Sequence, residues 1–402
     1  MLPWQDTVLR PSPWIPLLVG ARWWVRYGPG LAIKQRLLRE WLDVGLRQRP
    51  HMARAVRTRQ GLRFQVPSTL DFIARTIYLN GVWEPNITAL LTNRLAPGEV
   101  VIDIGAAGGW HTTLASRLVG ETGSVIAIEP APAQLQQLRA NLALNDCRNV
   151  RIVEAAVTEE PTQVRLFVPD PGNAGATTTI QPASYTSEIS AVGLPLAQIV
   201  DDDIDRARII KIDVEGAEAT VLTALVPLIP RLRPDCEILV EVTPRWLHQT
   251  GHTAEELLTP FIDSGFRAFA IENGYAPQDV PAMVRTPARP VAVTTAITRQ
   301  TDLLLSRVQP GPDIVDIDGA DRASSTGLET DQGGDLIADA LAWVRSDMLG
   351  AQKALNEDEL AGGVPAHVEV VEDILADEHR WTFAWRREVA ARVVAARDRA
   401  AG

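Results

Sequence analysis

The chain has 402 residues, 46% of them hydrophobic, and a formal net charge of −11. That length exceeds one ordinary core and suits a larger catalytic domain with appendages. The acidic balance gives no case for nucleic acid as a bulk partner. Charge is unevenly spread: residues 1–63 hold twelve Arg and Lys against three Asp and Glu, while 311–402 hold nine against nineteen. The two cysteines, Cys147 and Cys236, make neither a disulfide framework nor a zinc site and point to a reducing, cytoplasmic setting. No apolar run approaches the roughly 20 residues that span a bilayer.

In chain order, residues 1–30 are rich in Trp, Arg and Pro and read as irregular with short helical pieces. Residues 31–49 place Ile33, Leu37, Trp41 and Leu42 at helical spacing between arginines, which predicts an amphipathic helix. From 64 to 310 strand and helix patterns alternate, the sign of a doubly wound, mostly parallel α/β sheet. Seven strands are expected, at 99–105, 125–130, 150–157, 209–214, 237–242, 266–271 and 301–307. Helices are expected between them, notably at 111–119 and 132–145. Residues 311–335 are acidic and poor in apolar periodicity, which suits a linker, and 336–402 read as two helical segments. The expected organisation is therefore a basic N-terminal extension (1–63), one catalytic domain (64–310), an acidic linker (311–335) and a helical C-terminal extension (336–402).

The first chemical motif is VVIDIGAAGGWHTTLA, 100–115: a strand, a glycine turn and a helix start. Glycines there permit close approach of a ligand, and the helix start offers unpaired N–H groups. Glu129 ends the next strand, where a carboxylate can accept both hydroxyls of an adenosine ribose. The turn reads Gly105-Ala-Ala-Gly108-Gly109, which fails the G-x-G-x-x-G spacing of dinucleotide sites. An acidic residue on the first strand followed by G-x-x-x-G, here Asp103, Gly105 and Gly109, suits S-adenosylmethionine instead. A tight turn that only packs helix on sheet is the bland alternative.

Together, DIGAAGGWHT, IEP, KIDVEGAE and EILVEV resemble the FkbM-type S-adenosylmethionine-dependent methyltransferases. GVWEPN (81–86) matches that family's G-x-x-E-P element and TDLLLSR (301–307) its closing strand, so the resemblance spans about 64–307. It implies a class I, Rossmann-like methyltransferase fold. It also implies O-methylation of a hydroxyl on a sugar, glycolipid or polyketide-type product. The implied cofactor set is Glu84, Asp103, Gly105, Ala107, Gly109, Trp110, Glu129, Ala155 and Asp213. Two positions depart from the common pattern: Ala107 stands where many members have Asn, and Trp110 where many have Tyr.

The stretch IIKIDVEGAE (209–218) brings a lysine and three carboxylates to the end of one strand. Ligands of such sheets bind beyond the carboxyl ends of the strands. Lys211 and Asp213 share a face because side chains alternate, and Lys211 reads either as a site residue or as a neutralising partner of buried carboxylates. Glu215 leans over the rim after Gly216 lets the chain turn, and Glu218 reads as a helix-start acid favoured by the helix dipole. A base is needed to take the acceptor's hydroxyl proton; the candidates are Asp213, Glu215, Glu241 and His248. A metal held by Asp213 and Glu241 is compatible but not demanded, and none is assigned.

Two other functions stay in view: a non-catalytic module that keeps this fold to bind a partner, and a nucleotide-dependent oxidoreductase. Five of the eleven tryptophans lie in the first 41 residues (Trp4, Trp14, Trp23, Trp24, Trp41), interleaved with Arg10, Arg22, Arg26, Arg36 and Arg39. Two readings fit: packing on the acidic parts of the same chain, or peripheral contact of residues 1–50 with anionic lipid near a lipid-linked acceptor.

Overall fold

The computed structural model describes residues 14–47, 54–168 and 177–308. The chain divides into two compact units, Leu18–Leu328 and a second made of Met1–Leu17 with Glu329–Gly402. The expected linker at 311–335 and the helical segments of 336–402 lie outside the described residues, as do Trp4 and Arg10. Among the described residues no helix is long and apolar enough to cross a membrane.

The strands in chain order are β1 (Arg54–Arg57), β2 (Arg63–Val66), β3 (Val100–Ile104), β4 (Ser124–Ile128), β5 (Val150–Val153), β6 (Ala156–Thr158), β7 (Thr162–Val168), β8 (Ser187–Pro195), β9 (Ala207–Ile212), β10 (Glu237–Val242), β11 (Arg267–Ile271), β12 (Val291–Ala292) and β13 (Thr301–Ser306). The main sheet has the order β12-β11-β13-β10-β9-β3-β4-β5. From β10 to β5 all pairings are parallel. β9 and β10 are buried at every position, so they read as unbroken apolar runs rather than alternating ones. The class I methyltransferase architecture expected from the sequence is therefore present, with one added two-residue edge strand, β12.

Two features of this sheet place the site. The chain order turns back at β3, between β4 on one side and β9 on the other, which is the switch point where open α/β sheets bind ligands. β13 runs antiparallel to β10 with Glu241 opposite Asp302, so its start reaches the same edge as the carboxyl ends of β9 and β10.

The expected third strand, 150–157, is split. Val153 O still accepts from Glu129 N–H at 3.0 Å, but β4 has ended at Ile128, and β5 has no neighbour to follow further. The chain turns at Glu154 and Ala155, and β6 joins a separate sheet of order β6-β8-β7.

The N-terminal part also differs from expectation. Residues 31–47 form one helical stretch, Leu31–Leu37 and Asp43–Arg47, joined through a π-helical turn at Leu38–Leu42. The buried stripe is Leu38, Leu42 and Leu46, while Trp41 is 42% exposed. The boundary expected at 63/64 falls inside the β1–β2 hairpin, whose Val56, Phe64 and Val66 share a core with Val25, Leu38, Ile77, Tyr78 and Trp110.

Of the arginines invoked for a lipid contact, two are engaged within the fold. The Arg22 guanidinium lies 4.6 Å from the Tyr78 ring centroid. Arg26 is buried and donates to the carbonyls of Arg57, Ile77, Tyr78 and Leu79. The last three belong to the end of the helix Phe72–Asn80; Ile77 O also accepts from Gly81 N–H, and Tyr78 O and Leu79 O lie beyond that last helical bond. Burial, with Arg22 nearby, pushes the Arg26 guanidinium down to about 9.

Candidate functional site

The turn after β3 is held by contacts within the chain. Gly105 has φ +83, and a Cβ there would lie 1.8 Å from Asp213 O; at Gly109 (φ +84) it would lie 2.4 Å from Leu138 Cδ1. The absence of a Cβ at Gly105 lets the end of β3 touch the end of β9. Ala107 sits in the left-handed region at φ 46, a conformation that strains a side chain. Its N–H donates to Glu129 Oε2 at 2.8 Å, and Ala131 N–H donates to Glu129 Oε1 at 2.8 Å. One carboxylate thus fixes both the turn and the next helix start. Burial pushes Glu129 up to about 7 against the pull of those two bonds.

Asp103 is buried on β3. Thr112 Oγ1 donates to its Oδ2, while Oδ1 is buried with no hydrogen-bond partner. Glu84 precedes the helix Pro85–Arg94 in a left-handed conformation, φ 39. Its Oε2 is buried, and His111 Nε2 stands 3.4 Å away without making a hydrogen bond. Burial holds the Glu84 carboxyl well above its usual range; burial and then Lys211 hold His111 well below its own.

Lys211 lies at the centre. Its Nζ is 2.9 Å from Asp213 Oδ2. Burial alone would lower the ammonium, but Asp213, Asp103 and Glu84 together outweigh it and raise it. Lys211 therefore stays charged and neutralises the acids around it. Beyond Asp213 the chain leaves the sheet through Glu215 (φ 48) and Gly216 (φ +103). Burial, then Asp213 and Glu241, push the half-buried Glu215 up to about 9. Glu218, fully buried, accepts Gly216 N–H on Oε1 at 2.8 Å, and its Oε2 has no hydrogen-bond partner.

At the end of β10, Glu241 Oε2 is 3.0 Å from the Tyr275 hydroxyl, which is also 2.9 Å from Asp302 Oδ2. Asn273 Nδ2 donates to that same Asp302 oxygen at 2.6 Å. Glu84, Lys211, Asp213, Glu241 and Asp302 all line one narrow cavity floored by apolar residues of β9, β10 and β13.

The structure thus gathers Glu84, Asp103, Gly105, Ala107, Glu129, Asp213, Glu215 and Glu241 of the expected residues at one edge. Three lie apart. His248 is exposed on the helix Pro244–Gln249. The Trp110 indole turns into the core, donating to Thr88 Oγ1 at 3.1 Å with its ring 5.6 Å from Phe64. Ala155 is buried in the turn between β5 and β6. Asp302, Asn273 and Tyr275 were missed. The signal for Asp302 was a carboxylate at the start of a closing strand, which an antiparallel pairing sets opposite the acid at the end of β10.

Residues 103–268 match the family profile described as the methyltransferase FkbM domain. Over those residues the chain is similar to FkbM methyltransferase domains. Shorter likenesses accompany it. A 56-residue stretch is 41% identical to an arsenite methyltransferase of Halobacterium salinarum, covering 14% of this chain and 14% of that one. A 76-residue stretch is 34% identical to a protein of Sulfolobus acidocaldarius described as a cobalt-precorrin-6B C(15)-methyltransferase, covering 19% of this chain and 40% of that one. The chain thus spans well under half the length of the curated relatives it matches. Among solved structures, it is similar to an S-adenosylmethionine-dependent O-methyltransferase of Thermotoga maritima at 14% identity, TM-score 0.32, over 60% of this chain and 72% of that one. It is likewise similar to Aeropyrum pernix fibrillarin with bound S-adenosyl-L-methionine, at 12% identity, TM-score 0.32, over 55% and 73%.

The residues at this sheet edge fit S-adenosyl-L-methionine. The cofactor brings an ammonium, a sulfonium and a ribose diol. The orphaned acceptor oxygens of Asp103 and Glu84 suit a cation, since an unpaired buried acceptor is costly until it is met. Each Glu129 oxygen accepts one N–H and keeps a lone pair for a ribose hydroxyl. Among the described residues no group of three or more His, Cys, Asp or Glu is placed to hold a metal ion.

Proposed function

We propose that this protein transfers the methyl group of S-adenosyl-L-methionine to a hydroxyl of a sugar, glycolipid or polyketide-type acceptor. The observation that carries the reading is the continuity of two sets of groups at one sheet edge. The Asp103–Glu129 cradle adjoins the Lys211–Asp213 rim through the contact of Gly105 with Asp213. When bound, the cofactor supplies an electrophilic methyl: the sulfur–carbon bond breaks as the oxygen–carbon bond forms, leaving S-adenosylhomocysteine. The chain must align the acceptor oxygen with that methyl, which is worth roughly 7–11 kcal/mol. It must also accept the hydroxyl proton, for a contribution of about 10²–10⁴-fold.

Asp213 is the residue we assign to the proton. Its side chain is 28% exposed, so an acceptor can reach it, and Lys211 fixes its orientation. Glu215 and Glu241, pushed up to about 9 and about 8 by burial, keep their own protons near neutrality and suit hydrogen-bond donation better than proton uptake. Beside them the rings of Phe72, Trp83 and Tyr275 follow one another at 5.7 and 6.4 Å between centroids. A half-exposed aromatic wall next to carboxyl groups suits an acceptor with an apolar ring face and hydroxyl edges. The test is calorimetric titration with S-adenosyl-L-methionine, followed by transfer of labelled methyl to hydroxylated acceptors. Binding with transfer supports the reading. Binding without transfer to any acceptor favours the non-catalytic module, and preference for a nicotinamide dinucleotide favours the oxidoreductase.

A further inference from the structure

The helix Pro132–Leu144 carries Gln137 and Asn141 four residues apart on one face, and Asn145 follows at its end. All three bond to the backbone of β2. Asn141 is fully buried and uses both ends of its amide. Its Oδ1 accepts Gln65 N–H at 2.7 Å, and its Nδ2 donates to Gly108 O at 2.7 Å. Gln137 Nε2 donates to Gln65 O at 3.3 Å, and a Cβ on Gly108 would lie 2.9 Å from Gln137 Cδ. Asn145 holds Arg63 instead, accepting from its N–H at 2.8 Å and donating to its O at 2.7 Å. Residues two apart on a strand turn their backbone groups the same way, so three amides cover the hairpin edge that faces away from β1. Of the three, Asn141 also holds the glycine turn. Thr113 N–H returns to Gly109 O at 3.0 Å, which leaves Gly108 O outside the helical ladder for Asn141 to satisfy.

We propose that Asn141 is a positioning residue for the cofactor: it ties the turn 105–109 to the β1–β2 hairpin and so holds the turn in the shape that accepts S-adenosyl-L-methionine. The turn needs such a tie. Ala107 stands at φ 46, a conformation alanine does not hold by itself, and its methyl offers no hydrogen bond to the backbone around it. Glu129 holds the turn by the N–H of Ala107, and Asn141 holds it by the carbonyl of Gly108. The left-handed step is thus gripped from both ends. The hairpin can bear the load because it is anchored itself. Phe64 and Val66 are buried in the core, Arg26 donates to Arg57 O, and the Phe64 ring meets Trp110 at the start of the helix that follows the turn. Loss of Asn141 frees the turn without removing any group placed to touch the cofactor. The brace exists with or without cofactor; its effect on affinity depends on this edge being the S-adenosyl-L-methionine site.

Calorimetry with S-adenosyl-L-methionine, and amide exchange of the full chain without it, test the brace. Asn141→Ala is expected to bind the cofactor about tenfold more weakly, from one lost hydrogen bond at the turn. Its Ala107 and Gly109 amides are expected to exchange about tenfold faster than in wild type. Asn145→Ala loosens the same hairpin from the same helix but leaves the bond to Gly108 in place. Its affinity and its turn exchange are expected to stay within about twofold of wild type. A merely structural role would lower affinity alike in both variants. Wild-type affinity or wild-type turn exchange in Asn141→Ala overturns the proposal, and so does an equal loss of affinity in Asn145→Ala. If Asn141→Ala does not fold, wild type decides alone. In low urea its Gln65 and Gly109 amides are expected to open together, and a Gln65 amide that opens well before Gly109 overturns the brace. A wild type that binds no S-adenosyl-L-methionine refutes the cofactor reading and leaves the exchange results standing.

Discussion

Glu218 is a case in which two physical effects of opposite sign can be separated by one substitution. It begins the helix Glu218–Leu225, where a negative charge gains about 0.3–1 kcal/mol from the helix dipole. It is also only 1% exposed, has one oxygen with no hydrogen-bond partner, and is pushed from 4.5 to about 7 by burial. A raised carboxyl means that the folded state holds a proton the unfolded state gives up. The resulting stability is fully present below the unfolded value of 4.5 and is lost as the pH rises through about 7. At about 1.36 kcal/mol per unit, most of that loss, some 2–3 kcal/mol, falls between pH 5 and pH 8.5. Glu218→Gln keeps an oxygen for Gly216 N–H and removes the charge. Its stability advantage over wild type is therefore expected to grow by about 2–3 kcal/mol between those two pH values. Urea unfolding of both full chains, followed by tryptophan fluorescence at pH 5 and 8.5, measures the gap. A gap that stays constant or shrinks would refute the reasoning and return Glu218 to the role of a favourable helix-start charge.

Asp103→Asn is expected to weaken S-adenosyl-L-methionine binding roughly tenfold to a hundredfold, from the loss of one charge-assisted bond; calorimetry with an unchanged affinity would contradict the cradle. Gly105→Ala should lose about 3 kcal/mol or more of stability, because its Cβ would meet Asp213 O at 1.8 Å; a wild-type Tm would count against that close approach. Asp213→Asn should lower turnover by about 10²–10⁴ while cofactor affinity holds. His248→Ala, on an exposed helix face, should leave turnover unchanged, and a dead His248 variant would move the base to the fifth-strand end.

The sequence made the main sheet legible because its central strands are buried on both faces, and VVIDI, IIKI and EILVEV stand out as apolar runs. The β6-β8-β7 sheet was not legible. Only Gly193 of Ser187–Pro195 is buried, and Val192 on the exposed face blurs the alternation. The β1–β2 hairpin is four residues a side and arginine-rich, which masks the buried Val56 and Phe64. In the site, Asp103, Glu129 and Asp213 could be read because each lies at or just past the carboxyl end of a strand. Tyr275 sits in an irregular connection and gains its meaning only from the pairing of Glu241 with Asp302 across β10 and β13. The burial that pushes the Glu215 carboxyl up is set by the fold around it, which a local sequence window does not reveal.

The Arg26 clamp has a practical side. Its guanidinium joins the end of the helix Phe72–Asn80 to Arg57 of the hairpin, and the chain then reaches Glu84 four residues after Asn80. The planar fork of five donors matches several carbonyls at once, which the three donors of a lysine cannot reproduce. The N-terminal helix is in this sense a splint for the loop that delivers Glu84 to the cavity. Anyone trimming the chain for expression should begin upstream of residue 18. A start beyond Arg26 would strip the donor from four carbonyls, and the slackened loop would carry Glu84 out of line with Asp103 before the sheet itself gave way.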